Sequence, residues 1–314
     1  RVRLTMKSYL EEAIQAFGEN VSAGAATPAN RNLFTVDENL PLLETKQAEI
    51  FHHIVAKLLY VAKRARIDLQ LAIAFLCTRV SKSTQQDWEK LRRVLKYIYS
   101  TIDLPRIIGA VDFKVLQTWV DASYATHPDM RSHTGGVISL GHGVITSKSS
   151  KQKINTKSST EAELVGASDF ISQTMWTTWF LKEQGYVVES NIFYQDNQSA
   201  ILLEKNGRGS CGEKSRHINI RYFFIKDVLR RERVTVTHCP TEHMIADYFT
   251  KPLLGSLFTH LRNIIMGITP YLTKERVGNE ICSGTERENF KPGTTGTESI
   301  RTDKKDTTDN ATHV

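Results

Sequence analysis

The sequence predicts an α/β chain in which a small helical region precedes a mixed sheet flanked by helices. Apolar residues cluster at Leu116, Trp119 and Val120, then at Val137, Ile138 and Leu140, then at Val144 and Ile145, the pattern of three short consecutive strands. Strands and helices then alternate to about residue 249. Hairpin strands followed by such alternation imply a mixed sheet with helices packed on it. Upstream, three amphipathic runs in succession read as a small helical bundle.

The elements follow in order. Residues 1–44 are an irregular segment in which Tyr9, Leu10, Ala13, Ile14 and Phe17 share helical spacing, so a helix is expected over Leu4–Phe17. Ala23-Gly24-Ala25-Ala26-Thr27-Pro28 ends it and a long loop follows. Ile50, Phe51, Ile54, Val55, Leu58, Leu59 and Val61 trace one helix face. A second helix covers Leu69 to Val80 with Asp68 as its cap, and a third starts near Ser83 or Thr84 and carries Trp88, Leu91, Val94, Leu95 and Ile98. After the three strands, Glu161 to Gln184 reads as one long helix, capped by the hydroxyls of Ser158–Thr160 and ended by Gly185. Asn191 to Gln195 is a short strand that ends on Asp196-Asn197-Gln198-Ser199-Ala200, and a helix follows through Leu203. Residues 206–216 read as a loop, Ile218 to Leu229 as a helix, and Arg233 to His238 as a strand with Val234 and Val236 inward. A last short helix is expected from Pro240 through Phe249, and one more over 255–266. From Gly293 apolar residues nearly vanish, the composition of a disordered tail.

With 314 residues, 40% hydrophobic and 24% charged, the chain can bury a proper core in two domains with tails or in one large domain. A net charge of +7 fits a polyanionic partner, and fits equally a mildly basic protein without one. The four cysteines form no CxxC pair, so a zinc site or disulfide framework is not expected. No apolar run reaches the roughly 20 residues of a membrane helix, and the first residue, Arg1, suggests a piece of a longer polypeptide.

Four acids stand at element boundaries. Asp121 ends the first strand of the sheet, Glu163 lies in the first turn of the long helix, Asp196 ends the fourth strand, and Asp247 lies in the last short helix. Strand ends and helix starts can meet at one edge of a sheet. Carboxylates gathered there raise one another's pKa unless cations hold them, which points to a hard cation, Mg²⁺ or Mn²⁺. Two such ions roughly 4 Å apart can activate a water and stabilise the leaving oxygen of a phosphodiester.

These residues carry a resemblance. Asp121-Ala122-Ser123, Thr134-Gly135-Gly136, Ser147 to Gln152, Ser158 to Glu163, Gln195 to Ala200, Lys214 to Ile218, and Ala246 to Leu253 are similar, in order and spacing, to the ribonuclease H domain of copia-type LTR retrotransposon Pol polyproteins. The match covers about residues 115–255. Residues 45–105, with Lys57-Leu58-Leu59-Tyr60 and Trp88 to Leu95, resemble the end of the reverse transcriptase. The resemblance implies a ribonuclease H-like mixed five-stranded sheet over 113–255. It also implies a reverse-transcriptase connection region over 45–112, and composition leaves 256–314 as a C-terminal helix with a polar tail. The expected activity is metal-dependent cleavage of the RNA strand of RNA–DNA hybrids, with two Mg²⁺ (or Mn²⁺) ions on Asp121, Glu163, Asp196 and Asp247. The expected partners are the hybrid and the rest of the polyprotein, in the cytoplasm (in a virus-like particle) and the nucleus, away from membranes. The family's Tyr-x-Asp-Asp polymerase motif does not occur in this chain, so polymerase activity is not expected of it.

Glu161 and Glu163 compete for the second ligand position. Two residues apart on a helix, they point in different directions. The family pattern of an acid, large apolar residues, then small ones fits Glu163-Leu164-Val165-Gly166-Ala167, which leaves Glu161 as a cap. For the substrate, Lys148 and Lys151 are candidate phosphate contacts, with a solvated basic face as the plainer alternative. Ser123, Asn197 and Gln198 are candidates for the sugar edge, where the 2′-hydroxyl separates RNA from DNA. His217 and Arg221 share a helix face suited to phosphate contact or packing. His238 or His243 could assist proton departure. Two rivals stand beside this reading. An integrase on the same fold would carry its Glu late, whereas here Glu163 precedes Asp196. The other is a truncated, inactive element fragment that only binds nucleic acid.

Overall fold

The computed structural model describes residues 1–22, 24–206 and 219–271. The loop expected beyond Asn206, His217 and the polar tail lie outside the described residues.

The centre is a five-stranded sheet: β3 (Val115–Ser123), β4 (His133–Ser139), β6 (Val144–Lys151), β7 (Ser190–Gln195) and β8 (Val234–His238), in the spatial order β6-β4-β3-β7-β8. β4 runs antiparallel to β3 and β6, whereas β7 and β8 are parallel to β3. This is the expected mixed sheet, and its three hairpin strands fall where the apolar clusters placed them. Alternation along β3 sorts the side chains. Leu116 and Val120 join Ile138, Phe193, Leu164 and Phe170 in one core, and Val115 and Trp119 join Val137, Ile192 and Tyr194 in another.

Helices α5 (Ser159–Glu183), α6 (Gln198–Asn206) and α7 (Asn219–Arg231) cover the first face. Asn206 and Asn219 mark the described ends of α6 and α7. The helical region covers the second face, with α1 (Lys7–Ala16), α2 (Thr45–Ala62), α3 (Gln70–Cys77), α4 (Gln85–Ser100) and α8 (Gly255–Ile265) sharing one continuous core with the sheet. α3 is apolar nearly all round because it is enclosed. Gln70 at its start donates from Nε2 to the Ala62 carbonyl at 3.0 Å and to Ser147 Oγ of β6 at 2.9 Å. Thr84 and Asp87 form a capping box that starts α4, a device worth about 1 kcal/mol.

Several local expectations need correction. The first helix begins at Lys7, because Val2–Leu4 is an extended strand, β1, paired with β2 (Arg106–Ala110). β2 also pairs with the two-residue β5 (Gly141–His142). Asp68 does not cap α3. A 3₁₀ turn, Ile67–Leu69, precedes that helix, and Asp68 is buried with Arg66. Arg66 Nε and Nη2 donate to its two carboxylate oxygens at 2.9 and 2.8 Å, and the Tyr97 hydroxyl donates to it at 2.8 Å. A buried acid so paired costs several kcal/mol to strip of its partners. The last expected helix is two 3₁₀ turns, Thr241–His243 and Ile245–Phe249, separated at Met244.

That second turn lies flat on β4 at Gly135. A Cβ at Gly135 would sit 2.7 Å from the Thr250 side chain and 2.9 Å from the Ala246 carbonyl oxygen and the Phe249 Cβ. A Cβ at Gly136, on the opposite face, would meet the Phe170 ring of α5 at 2.6 Å. The glycine pair thus admits a 3₁₀ turn on one side of the strand and a helix on the other. Gly135→Ala is expected to cost about 1–3 kcal/mol by overpacking and to displace residues 246–250. Gly136→Ala should cost a similar amount against a ring that has little room to turn. Thermal denaturation of both variants checks this, and unchanged midpoints would refute the packing argument.

Candidate active site

The site is assembled from four elements. Asp121 projects from β3 beside Gly135 of β4, in register with it. Glu163 comes from the first turn of α5, whose start explains its direction. Ser158 Oγ accepts the Glu161 amide at 3.2 Å, and the Glu161 carboxylate accepts the Lys157 amide at 2.7 Å. Glu161 is thereby committed to the cap, and Glu163 turns inward. Asp196 follows the end of β7, where the Gln195 side-chain oxygen accepts the Asp196 amide at 3.0 Å. One carboxylate oxygen from each of Asp121, Glu163 and Asp196 lies within 4.8 Å of the others.

Asp247 approaches on the 3₁₀ turn and does not join that group. Lys251 Nζ sits 2.8 Å from Asp247 Oδ1 and 3.6 Å from Asp121 Oδ2, so the ammonium stands between the two acids. The Thr250 hydroxyl also donates to Asp121 Oδ2. Three hydrogen bonds tie the turn down, two at its own carbonyls and one from its tyrosine. Ser149 Oγ donates to Phe249 O at 2.8 Å, Ser123 Oγ to Thr250 O at 3.1 Å, and the Tyr248 hydroxyl to Asp68 O at 3.3 Å.

Burial and mutual repulsion govern the charges. Glu163 is held well above the usual carboxylate range by burial, then by Asp121 and Asp196, although the Ala122 amide and Lys251 oppose the rise. Asp196 is raised by burial and by Asp121. Asp247 is pushed up to about 7, again by burial first and then Asp121. Burial works against the Lys251 ammonium, but Asp121 and Asp247 outweigh it and raise its pKa. Glu163 Oε2 is buried and has no hydrogen-bond partner among the described residues. A buried carboxylate oxygen left unpaired is costly. Together with two further carboxylates and no nitrogen or sulfur donor in the group, it fits a hard divalent cation.

The remaining candidates are placed less centrally. Ser123 spends its hydroxyl on Thr250, and Asn197 Oδ1 accepts the Ala200 amide at 3.0 Å at the start of α6. Gln198 is exposed one residue further on. Lys151 is paired with Asp129 at 2.8 Å, while no acid pairs with Lys148 among the described residues. Arg221 is committed to Asp169 of α5 at 2.5 Å. His238 lies near enough to Asp196 to lower its pKa slightly, whereas His243 sits in another depression, beside His260 and Tyr271. Lys251 and Thr250 are the contributors that sequence reasoning left without a role. The Asp247–Lys251 spacing of four was the available signal.

No protein-family model matches the chain. It is 26% identical over 267 residues to the retrovirus-related Pol polyprotein from transposon TNT 1-94 of Nicotiana tabacum, covering 83% of this chain and 20% of that protein. It is 32% identical over 205 residues to the corresponding polyprotein from transposon RE2 of Arabidopsis thaliana, covering 65% of this chain and 14% of that one. The chain is a relative of copia-type retrotransposon Pol polyproteins. It spans a fifth or less of the length of these Pol relatives. Among solved structures, it is similar to LC11-RNase H1 in complex with an RNA/DNA hybrid, at 14% identity and a TM-score of 0.33, over 43% of this Pol-related chain and 92% of that one. No helix among the described residues is long and apolar enough to cross a membrane.

The raised carboxylates predict how stability depends on pH in ion-free protein. Asp247 has an ordinary value of 3.8 and a folded value of about 7. Between them the folded chain holds a proton that the unfolded chain has lost, so stability falls as pH rises through this window. In EDTA, the melting temperature is expected to drop from pH 5 to pH 8 by several degrees. Asp247→Asn should flatten the slope, and millimolar Mg²⁺ should restore stability at pH 8. A melting temperature in EDTA that is constant or rises across this range would contradict the assignment.

Proposed function

We propose that this chain is a divalent-metal-dependent ribonuclease that cleaves the RNA strand of RNA–DNA hybrids during reverse transcription of a retroelement. The observation that carries the reading is the convergence of Asp121, Glu163 and Asp196 within 4.8 Å, with one Glu163 oxygen buried and unpartnered. The relationship to retrotransposon Pol polyproteins supports the choice of substrate.

Asp121, Glu163 and Asp196 are the proposed ligands of one Mg²⁺ or Mn²⁺ ion, and Asp247 with Asp121 the ligands of a second. Bound ions would supply positive charge to the scissile phosphate and favour ionisation of the attacking water. The residues of the chain set the geometry. The α5 cap aims Glu163, the Gly135 contact brings Asp247 to Asp121, and Thr250 orients the Asp121 carboxylate. Lys148, on an edge strand and without an acidic partner among the described residues, is the proposed phosphate contact nearest in kind to what a hybrid needs. Lys151, Arg221 and Asn197 would have to leave their present partners to touch substrate.

The test is cleavage of an end-labelled RNA–DNA hybrid in Mg²⁺ and in EDTA. Glu163→Gln and Asp196→Asn should each lower the rate by about 10²-fold or more, since loss of a ligand removes several kcal/mol of charge stabilisation. Glu161→Gln should cut the rate only through loss of a helix cap, by less than about tenfold. Hybrid binding without Mg²⁺-dependent cleavage by the unaltered chain would favour the binding-fragment alternative. Abolished cleavage in Glu161→Gln alone would move the ligand to that position.

A further inference from the structure

Lys251 is the one cation among the described residues that sits within 4 Å of two of the four acids. It supplies the positive charge between those two acids. The ammonium lies 2.8 Å from Asp247 Oδ1 and 3.6 Å from Asp121 Oδ2, bridging two buried carboxylates that have no hydrogen bond to each other. The two acids are 5% and 2% exposed and anchored by the strand and the pinned turn, whereas the Lys251 side chain is 41% exposed. The lysine is therefore the member of this trio that can leave.

Charge counting gives the departure a consequence. With all four carboxylates ionised, as bound cations would hold them, they and the one ammonium carry a formal −3. One divalent ion in the Asp121–Glu163–Asp196 group reduces this to −1. A second ion would overshoot to +1 in a buried setting, which is unfavourable until a phosphodiester brings its own negative charge. Without the ammonium, two ions neutralise four carboxylates with no substrate present.

We propose that Lys251 is a built-in stand-in for the second divalent cation. Its ammonium holds Asp247 against Asp121 in the substrate-free protein, so that one ion binds there alone, and the second enters when the scissile phosphate arrives and Lys251 swings out. This rests on the metal-dependent reading above. It makes Lys251 a positioning residue that orders ion and substrate binding.

The test counts Mn²⁺ ions bound by the full chain without nucleic acid, by titration calorimetry and by electron paramagnetic resonance of the free ion. The unaltered chain should bind one ion at this site and Lys251→Met two, with Lys251→Gln as an independent check and Lys251→Arg returning to one. Glu163→Gln defines which bound ions belong to the site. In cleavage assays, the Mg²⁺ concentration dependence should become less cooperative in Lys251→Met. Two site ions in the unaltered chain, or one in both it and Lys251→Met, would overturn the role given to Lys251 while leaving the metal site standing. No Mn²⁺ sensitive to Glu163→Gln in any variant would instead remove the metal site itself, and the proposal with it.

Discussion

The structure depends on how closely its layers can approach β4. That strand has no side chain at two successive positions, so each face is open at a different residue. On one face Phe170 closes down over Gly136 and fixes the height of α5 above the sheet. On the other, the turn carrying Ala246, Phe249 and Thr250 rests on Gly135. Glu163 reaches the strand ends because α5 is seated this way, and Asp247 approaches because the turn is. The pair of glycines is a packing requirement from which the site's dimensions follow, since a single added methyl group is felt in a close-packed interior.

The electrostatics follow from that packing. Bringing carboxylates together under cover raises their proton affinity, so the assembled site is a store of unfavourable charge. The fold relieves part of it from inside, with the Ala122 amide on Glu163, the Thr250 hydroxyl on Asp121 and the Lys251 ammonium between Asp121 and Asp247. What remains unrelieved, above all Glu163 Oε2, is directed to one spot. Perturbed carboxylates of this kind gather at functional sites more often than elsewhere. Arg66 and Asp68 show the contrast within this chain: both are buried, and the acid is matched by the guanidinium and the Tyr97 hydroxyl.

The parts of this architecture legible in the amino-acid sequence are those governed by local pattern. The central strands and long helices repeat apolar residues at periods of two or 3.6, and Asp121, Glu163 and Asp196 stand at the ends such elements define. The Ser158–Glu161 spacing encoded the cap that separates Glu161 from Glu163. Non-local structure was not legible. β1 and β2 are a few residues each and exist because the N-terminal segment finds a partner about a hundred residues away. Asp68 looks like a cap to a local reading, and only tertiary packing brings Arg66 and Tyr97 around it. Residues 245–249 have helical composition, but the flat seat at Gly135 and the turn at Met244 hold them as a 3₁₀ segment. The spacing of four ties Lys251 to Asp247, but its second partner, Asp121, is distant in sequence and only the fold brings it near.

Tyr248 follows Asp247 in the chain, and its hydroxyl reaches back across the second core to the Asp68 carbonyl. One residue of the turn thus faces the acids while the next is anchored in the helical region. For a chain related to transposon Pol polyproteins, this bears on recombination. A crossover near residue 113 would join a helical half from one lineage to a sheet half from another. The chimaera would have to match Tyr248 to a foreign turn at Asp68 and to a foreign second core. Chimaeras with that breakpoint should be less stable than those with breakpoints outside the shared core, because the two halves complete one core between them.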